Sequence, residues 1–158
     1  MGENIVRTVH LNNAGASPMP NAVLTQFKAI LDLEQEIGGY AAADKYCDLF
    51  ERTRMSAGRL IHARDPSEEI ALVDSATTAW ARAFYSIQLD AGDIILTCEA
   101  EYAANYVAML QQCRRHGASI QVIPSRVEDG DGRVDVSALS SLMEQYMERV
   151  KAVCITHV

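Results

Sequence analysis

The sequence has no apolar run long enough to cross a membrane and no targeting segment at its start. A membrane-spanning helix needs about 20 consecutive apolar residues, and the 158 residues contain no such run. The opening letters, MGENIVRTVH, lack the basic stretch and apolar core of a signal peptide. The net charge of −7 argues against a nucleic-acid surface. We therefore expect no membrane and no nucleic-acid partner.

Cysteine is scarce and scattered. The four cysteines, Cys47, Cys98, Cys113 and Cys154, form no CxxC pair, so neither a zinc site nor a redox dithiol is indicated. Cys98 and Cys154 lie in apolar runs, where a cysteine packs as a small apolar residue. We predict no metal site and a reducing, cytoplasmic setting.

The pattern of apolar residues divides the chain into two parts. Residues 1–66 read as a loop followed by two helices, one from about residue 21 to the glycines at 38 and 39, and one over 43–62. From residue 67 to 158, short apolar runs alternate with helical spacing. The predicted strands are 70–73, 93–97, 119–124 and 152–158, and the predicted helices are 77–88, 103–116 and 137–149. This alternation predicts an α/β fold with a mostly parallel sheet.

Small hydroxyl residues follow the first predicted strand, in the stretch DSATT at 74–78. In a parallel α/β sheet, ligands bind at the carboxyl ends of the strands. The N-terminus of the next helix offers free N–H groups for a phosphate, and Ser75 and Thr77 add hydroxyl donors. The alternative is that Asp74 or Ser75 only caps the helix.

A second group of polar and aromatic residues follows the strand predicted at 93–97. Glu101, Tyr102 and Asn105 lie just past it, on the same rim as Ser75. The Tyr102 ring can stack on a planar ligand, or it can be an ordinary packing residue at a helix start. A phosphate turn and a stacking ring on neighbouring strand ends together describe a phosphorylated aromatic cofactor.

Several stretches together resemble the class V aminotransferase-like enzymes. HLNNAGASPMP resembles the N-terminal signature of that family, DSATTAW its phosphate turn, and AGDIILTCEAEYAAN its stretch with Glu-His-x-x-Asn after a strand. The similarity is greatest to the branch with cysteine desulfurases, selenocysteine lyases and isopenicillin-N-epimerase-like proteins. The resemblance implies a pyridoxal 5′-phosphate enzyme of fold type I, usually a homodimer, and it covers the chain from about His10.

The resemblance implies a role for individual residues around the cofactor. Ala76 and Thr77 would hold the cofactor phosphate, with Ser75 where relatives often have glycine. Tyr102 would stack on the pyridine ring, where desulfurases usually have histidine. Tyrosine stacks equally well, but its usual pKa of about 10 makes it a poor base at neutral pH. The departure puts desulfurase chemistry in doubt.

The same resemblance assigns residues to the substrate side. Asn13, Ala14 and Gly15 would line it. His157, at the end of the last predicted strand, is either a catalytic base or a structural or substrate-lining histidine. The implied substrate is an amino acid.

The Schiff-base lysine of the family has no counterpart in the sequence. The three lysines are Lys28 and Lys45, in the two early helices, and Lys151, at the start of the last strand. We therefore expect the N-terminal half of a fold type I enzyme, incomplete and ending inside a strand. It would be a fragment, a split enzyme completed by a complementary chain or as a homodimer, or a truncated pseudoenzyme.

Three hypotheses follow for the function. The first is the N-terminal half of a pyridoxal-phosphate enzyme of aminotransferase or lyase type, inactive alone. The second is a non-catalytic binding or interaction module of the same fold. The third is an α/β nucleotide binder that uses 74–78 as an anion site, and the absence of the GxGxxG and GxxxxGKS/T motifs argues against it.

Overall fold

The computed structural model describes residues 9–126 and 133–156. The chain divides into two compact units, with the boundary in the sequence between Ala71 and Leu72. The first unit is helical. Its helices are α1 (Asn21–Ile37), α2 (Gly39–Lys45), α3 (Cys47–Leu60) and the single turn α4 (Pro66–Glu69). Gly38, with a φ of 84°, separates α1 from α2. The helix predicted over 43–62 is wrong in its bounds. The helical structure is interrupted at Tyr46, and the preceding helix α2 begins at Gly39.

The second unit contains a small parallel sheet with helices on both faces. Its elements are α5 (Ala76–Tyr85), β1 (Ile94–Cys98), α6 (Ala103–His116), β2 (Ser119–Ile123), α7 (Val136–Tyr146) and β3 (Val150–Cys154), with a turn of 3-10 helix over Met147–Arg149. The strand order is β2-β1-β3, and β1 pairs in parallel with both neighbours. The predicted α/β class with a parallel sheet is confirmed.

The central strand β1 is buried along its whole length, which is why its sequence IILTC is almost purely apolar. On one face, Ile95 packs with Phe84 of α5 and Met109 of α6. On the other face, Ile94 and Leu96 pack with residues of α7. The two layers of helices therefore fix the sheet, whose carboxyl end carries the candidate site.

The strand predicted at 70–73 is wrong. These residues form no strand among the described part of the chain, although Ile70 has extended backbone angles. A strand needs a neighbour to accept and donate its backbone hydrogen bonds, and none of the described strands pairs with residues 70–73. The last strand begins at Val150, earlier than predicted, and residues 157–158 of the prediction lie outside the described residues.

Candidate functional site

Ser75 caps helix α5. Its Oγ accepts the N–H of Thr78 at 3.1 Å, and the Thr78 hydroxyl donates to the Asp74 carboxylate at 3.1 Å. This is the arrangement that serine at an N-cap forms with the third amide of a helix. The Ser75 hydroxyl is thus engaged within the turn, as the capping alternative predicted.

The next two residues leave the start of α5 open. The first amides of a helix have no intrahelical acceptor, and Ser75 takes only that of Thr78. The N–H groups of Ala76 and Thr77 have no acceptor among the described residues, and both residues are exposed. Two free amides at a helix N-terminus, with the Thr77 hydroxyl beside them, fit a phosphate group.

Tyr102 lies at the N-cap position of α6, immediately past the end of β1. Its amide donates to Glu101 Oε1 at 2.8 Å and to Thr156 Oγ1 at 3.1 Å, so its backbone is held from two sides. Its side chain is 58% exposed, which leaves a face of the ring accessible to a planar ligand.

Glu101 forms a network that the sequence pattern does not show. Besides the Tyr102 amide, its carboxylate accepts the hydroxyls of Thr97 at 3.1 Å and Thr156 at 2.6 Å, and the amide group of Asn105 at 3.0 Å. The spacing of Glu101 and Asn105, four apart at a helix start, is the only local signal. The partner Thr156 lies 55 residues away in sequence.

The electrostatics of this network favour an ionised carboxylate. Partial burial pushes the pKa of Glu101 upward, but hydrogen bonds from Thr156, Asn105, the Tyr102 amide and Thr97 outweigh it, and the pKa lies below the ordinary value. Burial raises the pKa of the nearby Cys154 thiol to about 11, with a further contribution from the Glu101 charge. Cys154 is therefore a neutral thiol.

The two halves of the predicted cofactor site belong to one unit and to helices that pack on each other. The Tyr85 hydroxyl, at the end of α5, donates to Gln111 Oε1, in the second half of α6, at 3.1 Å. The end of α5 therefore lies beside the second half of α6, and α6 begins just past the carboxyl end of β1. No hydrogen bond joins Tyr102 to the described residues of the α5 turn.

The predicted substrate-side residues are not part of the described residues of the second unit. Asn13, Ala14 and Gly15 form an exposed turn in the first unit, in which the Gly15 amide donates to Asn12 Oδ1 at 3.2 Å. His157 lies outside the described residues. The roles of these four residues stay predictions.

No lysine of the second unit stands at the carboxyl end of the sheet. Lys151 Nζ lies 3.8 Å from Asp93 Oδ1, at the opposite end, where β1 begins. Lys28 and Lys45 belong to α1 and α2 of the first unit.

Residues 9–126 and 133–156 contain no group of three His, Cys, Asp or Glu side chains that could hold a metal ion. None of the helices in these ranges is both long and apolar enough to span a bilayer.

In parallel α/β units such as this one, ligands bind at the carboxyl ends of the strands. The profile of the aminotransferase class-V family matches residues 9–158. The chain belongs to this family, and the resemblance read from its motifs is confirmed.

Among curated proteins, the chain is similar to cysteine desulfurases. It is 31% identical to that of Cronobacter sakazakii (strain ATCC BAA-894) and 29% identical to that of Salmonella newport (strain SL254), each over 160 residues. Each alignment covers 94% of this chain and 36% of the relative. The chain thus spans about a third of the length of the relatives that it matches.

Solved structures show the same fold. A C-DES mutant with glycine covalently linked to the PLP cofactor superposes with a TM-score of 0.72 at 21% identity, over 88% of this chain and 35% of that one. The cysteine desulfurase CsdA from Escherichia coli superposes with a TM-score of 0.59 at 21% identity, over 80% and 33%. The chain is a partial fold type I unit.

Proposed function

We propose that this chain supplies the phosphate turn and the ring-stacking residue of a pyridoxal-phosphate-dependent class V enzyme that acts on an amino acid. A lysine that lies outside residues 1–158 would bind the cofactor covalently. The observation that carries the proposal is the pair of open amides at Ala76 and Thr77. The exposed Tyr102 ring, at the start of the neighbouring helix, supports it.

The residues present fit the cofactor. Pyridoxal phosphate, when bound, supplies an electron sink for reactions at the α-carbon of an amino acid. The amides of Ala76 and Thr77 would bind its phosphate, the Thr77 hydroxyl would donate a further hydrogen bond, and the Tyr102 ring would cover one face of the pyridine. Tyr102 would thereby orient the ring of the cofactor.

The reaction of the complete protein lies within the amino-acid chemistry of the family, of aminotransferase or lyase type. The curated relatives are cysteine desulfurases, and one solved neighbour is described as a cystine C-S lyase in complex with cysteine persulfide. Tyrosine at position 102 weighs against the same chemistry here, because desulfurases usually have histidine there. The missing lysine would come from residues other than 1–158, whether in the same polypeptide or in a complementary chain.

A non-catalytic binding module is the second candidate. The ion pair of Lys151 with Asp93, at the opposite end of the sheet from Tyr102, favours it, because the second unit then offers no lysine to a bound cofactor. Turnover with an amino acid by the completed protein would exclude this candidate.

The proposal is tested by comparing three ligands in the chain and in its complex with any complementary half. Calorimetric titration should show tighter binding of pyridoxal phosphate than of pyridoxal, which lacks the phosphate. Inorganic phosphate should compete with pyridoxal phosphate for binding, and it should not compete with pyridoxal. Equal binding of the two aldehydes, without competition by phosphate, would contradict a phosphate site at the start of α5.

A further inference from the structure

Glu101 connects three elements at the carboxyl end of the sheet. It receives hydrogen bonds from Thr97 of β1, from Tyr102 and Asn105 at the start of α6, and from Thr156 just past β3. Thr156 in turn accepts from the Tyr102 amide at 3.1 Å, which closes a small ring of hydrogen bonds around Tyr102.

The contacts of the carboxylate fill Oε1 and leave one acceptor site on Oε2. Oε1 accepts three hydrogen bonds, from Tyr102, Asn105 and Thr156, and Oε2 accepts one, from Thr97. An ionised carboxylate has about four lone-pair sites on its two oxygens. Every partner here is a donor, so protonation would replace one acceptor site by a competing donor.

We propose that Glu101 is a positioning residue, whose carboxylate ties the first turn of α6 to the ends of β1 and β3 and thereby sets where the Tyr102 ring stands. The network holds the backbone N–H of Tyr102 twice, while the side chain itself is 58% exposed. The inference rests on the proposed function only where it assigns the ring to a cofactor.

The charge state of Glu101 should decide whether the network holds. The pKa of Glu101 is lower in the folded chain than the ordinary value of 4.5. A carboxylate with a lowered pKa stabilises the fold above its ordinary pKa, and this contribution is lost as the pH falls through the folded value. The network should therefore be intact at neutral pH and should open in acid.

The other titratable groups around Glu101 are two thiols, a phenol and the carboxyl group of Glu99, whose pKa is also lowered, by hydrogen bonds from Ser125. Cys154 faces it from β3, with a thiol whose pKa of about 11 keeps it neutral throughout. Cys98 of β1, Tyr106 of α6 and Glu99 of the turn line the same cavity of about 400 Å³. Only Glu99 is a second carboxyl group, and it accepts the Ser125 amide at 3.1 Å, outside the network.

Hydrogen exchange with peptide-resolved mass spectrometry tests the network without any cofactor. In Glu101→Gln, exchange in peptides covering the start of α6 should be about tenfold faster or more at neutral pH, because a hydrogen bond to a charged group is lost. The matched control is Glu99→Gln, which removes the neighbouring carboxylate and should leave the start of α6 unchanged.

The pH dependence separates the charge from the shape of the side chain. At each pH, the protection of the unsubstituted chain is compared with that of Glu101→Gln. The extra protection of the unsubstituted chain should shrink as the pH falls from about 7 to about 3. Should Glu101→Gln fail to fold, Thr156→Val removes one donor and should give a smaller acceleration in the same peptide. Equal exchange of Glu101→Gln and the original chain at neutral pH would overturn the inference, as would a difference independent of pH.

A second arm adds pyridoxal phosphate and keeps the two proposals distinguishable. Slower exchange around Tyr102 on addition of the cofactor, lost in Glu101→Gln, is the expected result. If the substitution accelerates exchange but the cofactor changes nothing, the positioning role stands and the cofactor role of Tyr102 falls. If the cofactor protects both proteins equally, the positioning role falls.

Discussion

At the scale of single residues, neighbouring hydroxyls in the α5 turn differ in what they bind. Ser75 and Thr78 are engaged with each other and with Asp74, whereas the Thr77 hydroxyl has no partner among the described residues. The Thr77 hydroxyl is therefore the one available to a phosphate, and Ser75 serves the helix.

Thr77→Val keeps the shape of the side chain and removes that hydroxyl. A hydrogen bond to a charged group contributes about 1.5–3 kcal/mol, so the affinity for pyridoxal phosphate should fall about tenfold or more. Calorimetric titration of the completed protein measures it. Thr53→Val is the control, because the Thr53 hydroxyl donates to the Leu49 carbonyl within α3 at 2.8 Å. An affinity unchanged in Thr77→Val would make Thr77 an ordinary helix-start residue.

Cysteine reactivity should follow the local environment of each thiol. With a pKa of about 11, only about one in a thousand Cys154 side chains is a thiolate at pH 8, and the thiolate is the reactive form. Alkylation of the folded chain by iodoacetamide should therefore modify the exposed Cys47 well before Cys154. Peptide mass spectrometry over a time course gives both rates. Equal rates in the folded chain would contradict the described burial of Cys154.

At the scale of elements, local sequence signals predicted α6 well. The helix runs from Ala103 to His116, as its spacing predicted, and Gly117 ends it with a left-handed φ of 73°. Glycine adopts this conformation without the steric cost that other residues meet. The sequence signals for the start and the end of a helix lie within a few residues of its ends, so they can be recognised without knowing the fold.

One predicted strand that needed a distant partner was wrong. Residues 70–73 have the composition of a buried strand, but composition does not show whether a neighbouring strand exists. The candidate site likewise has one part that the local sequence predicts and one part that it does not. The open turn of α5 follows from its own sequence, whereas the Glu101 network requires Thr156, which only the folding of β3 brings close.

A tight contact between α3 and α4 gives a prediction at this scale. Gly58 of α3 is buried, and a Cβ at that position would collide with the ring of Pro66, the first residue of α4. Overpacking costs about 1–3 kcal/mol, against a gain of about 1 kcal/mol in helix propensity. Gly58→Ala should therefore lower the melting temperature or leave no net gain.

Gly39→Ala is the matched control for that substitution. Gly39 is the first residue of α2, and nothing lies within 4 Å of a Cβ built there. The alanine should be neutral or stabilise the helix by up to about 1 kcal/mol. If Gly58→Ala raised the melting temperature as much as Gly39→Ala, the close packing of α3 on α4 would be contradicted.

At the scale of the whole molecule, the sheet has two open edges within the described residues. The outer edges of β2 and β3 carry no paired strand, and Val122, Val153 and Ile155 remain 45%, 41% and 46% exposed. Parallel sheets are normally covered on both faces and continued at their edges. The chain thus offers apolar surface and unpaired backbone groups to a partner.

The purified chain alone should therefore associate, aggregate or be partly ordered. Analytical ultracentrifugation and calorimetry measure this. Addition of a complementary half should give a soluble complex, and the absorbance of bound pyridoxal should appear together with it, because completing the sheet also delivers the lysine. A monodisperse monomer with a cooperative melting transition would show that the chain is a self-sufficient domain.

The central claim is that the covalent lysine comes from outside this chain. The chain alone is incubated with pyridoxal phosphate, reduced with borohydride and mapped by peptide mass spectrometry. We predict no stoichiometric label at Lys28, Lys45 or Lys151, and specific labelling of a partner lysine once a complementary half is added. Stoichiometric labelling of one of the three lysines in the chain alone would contradict the account.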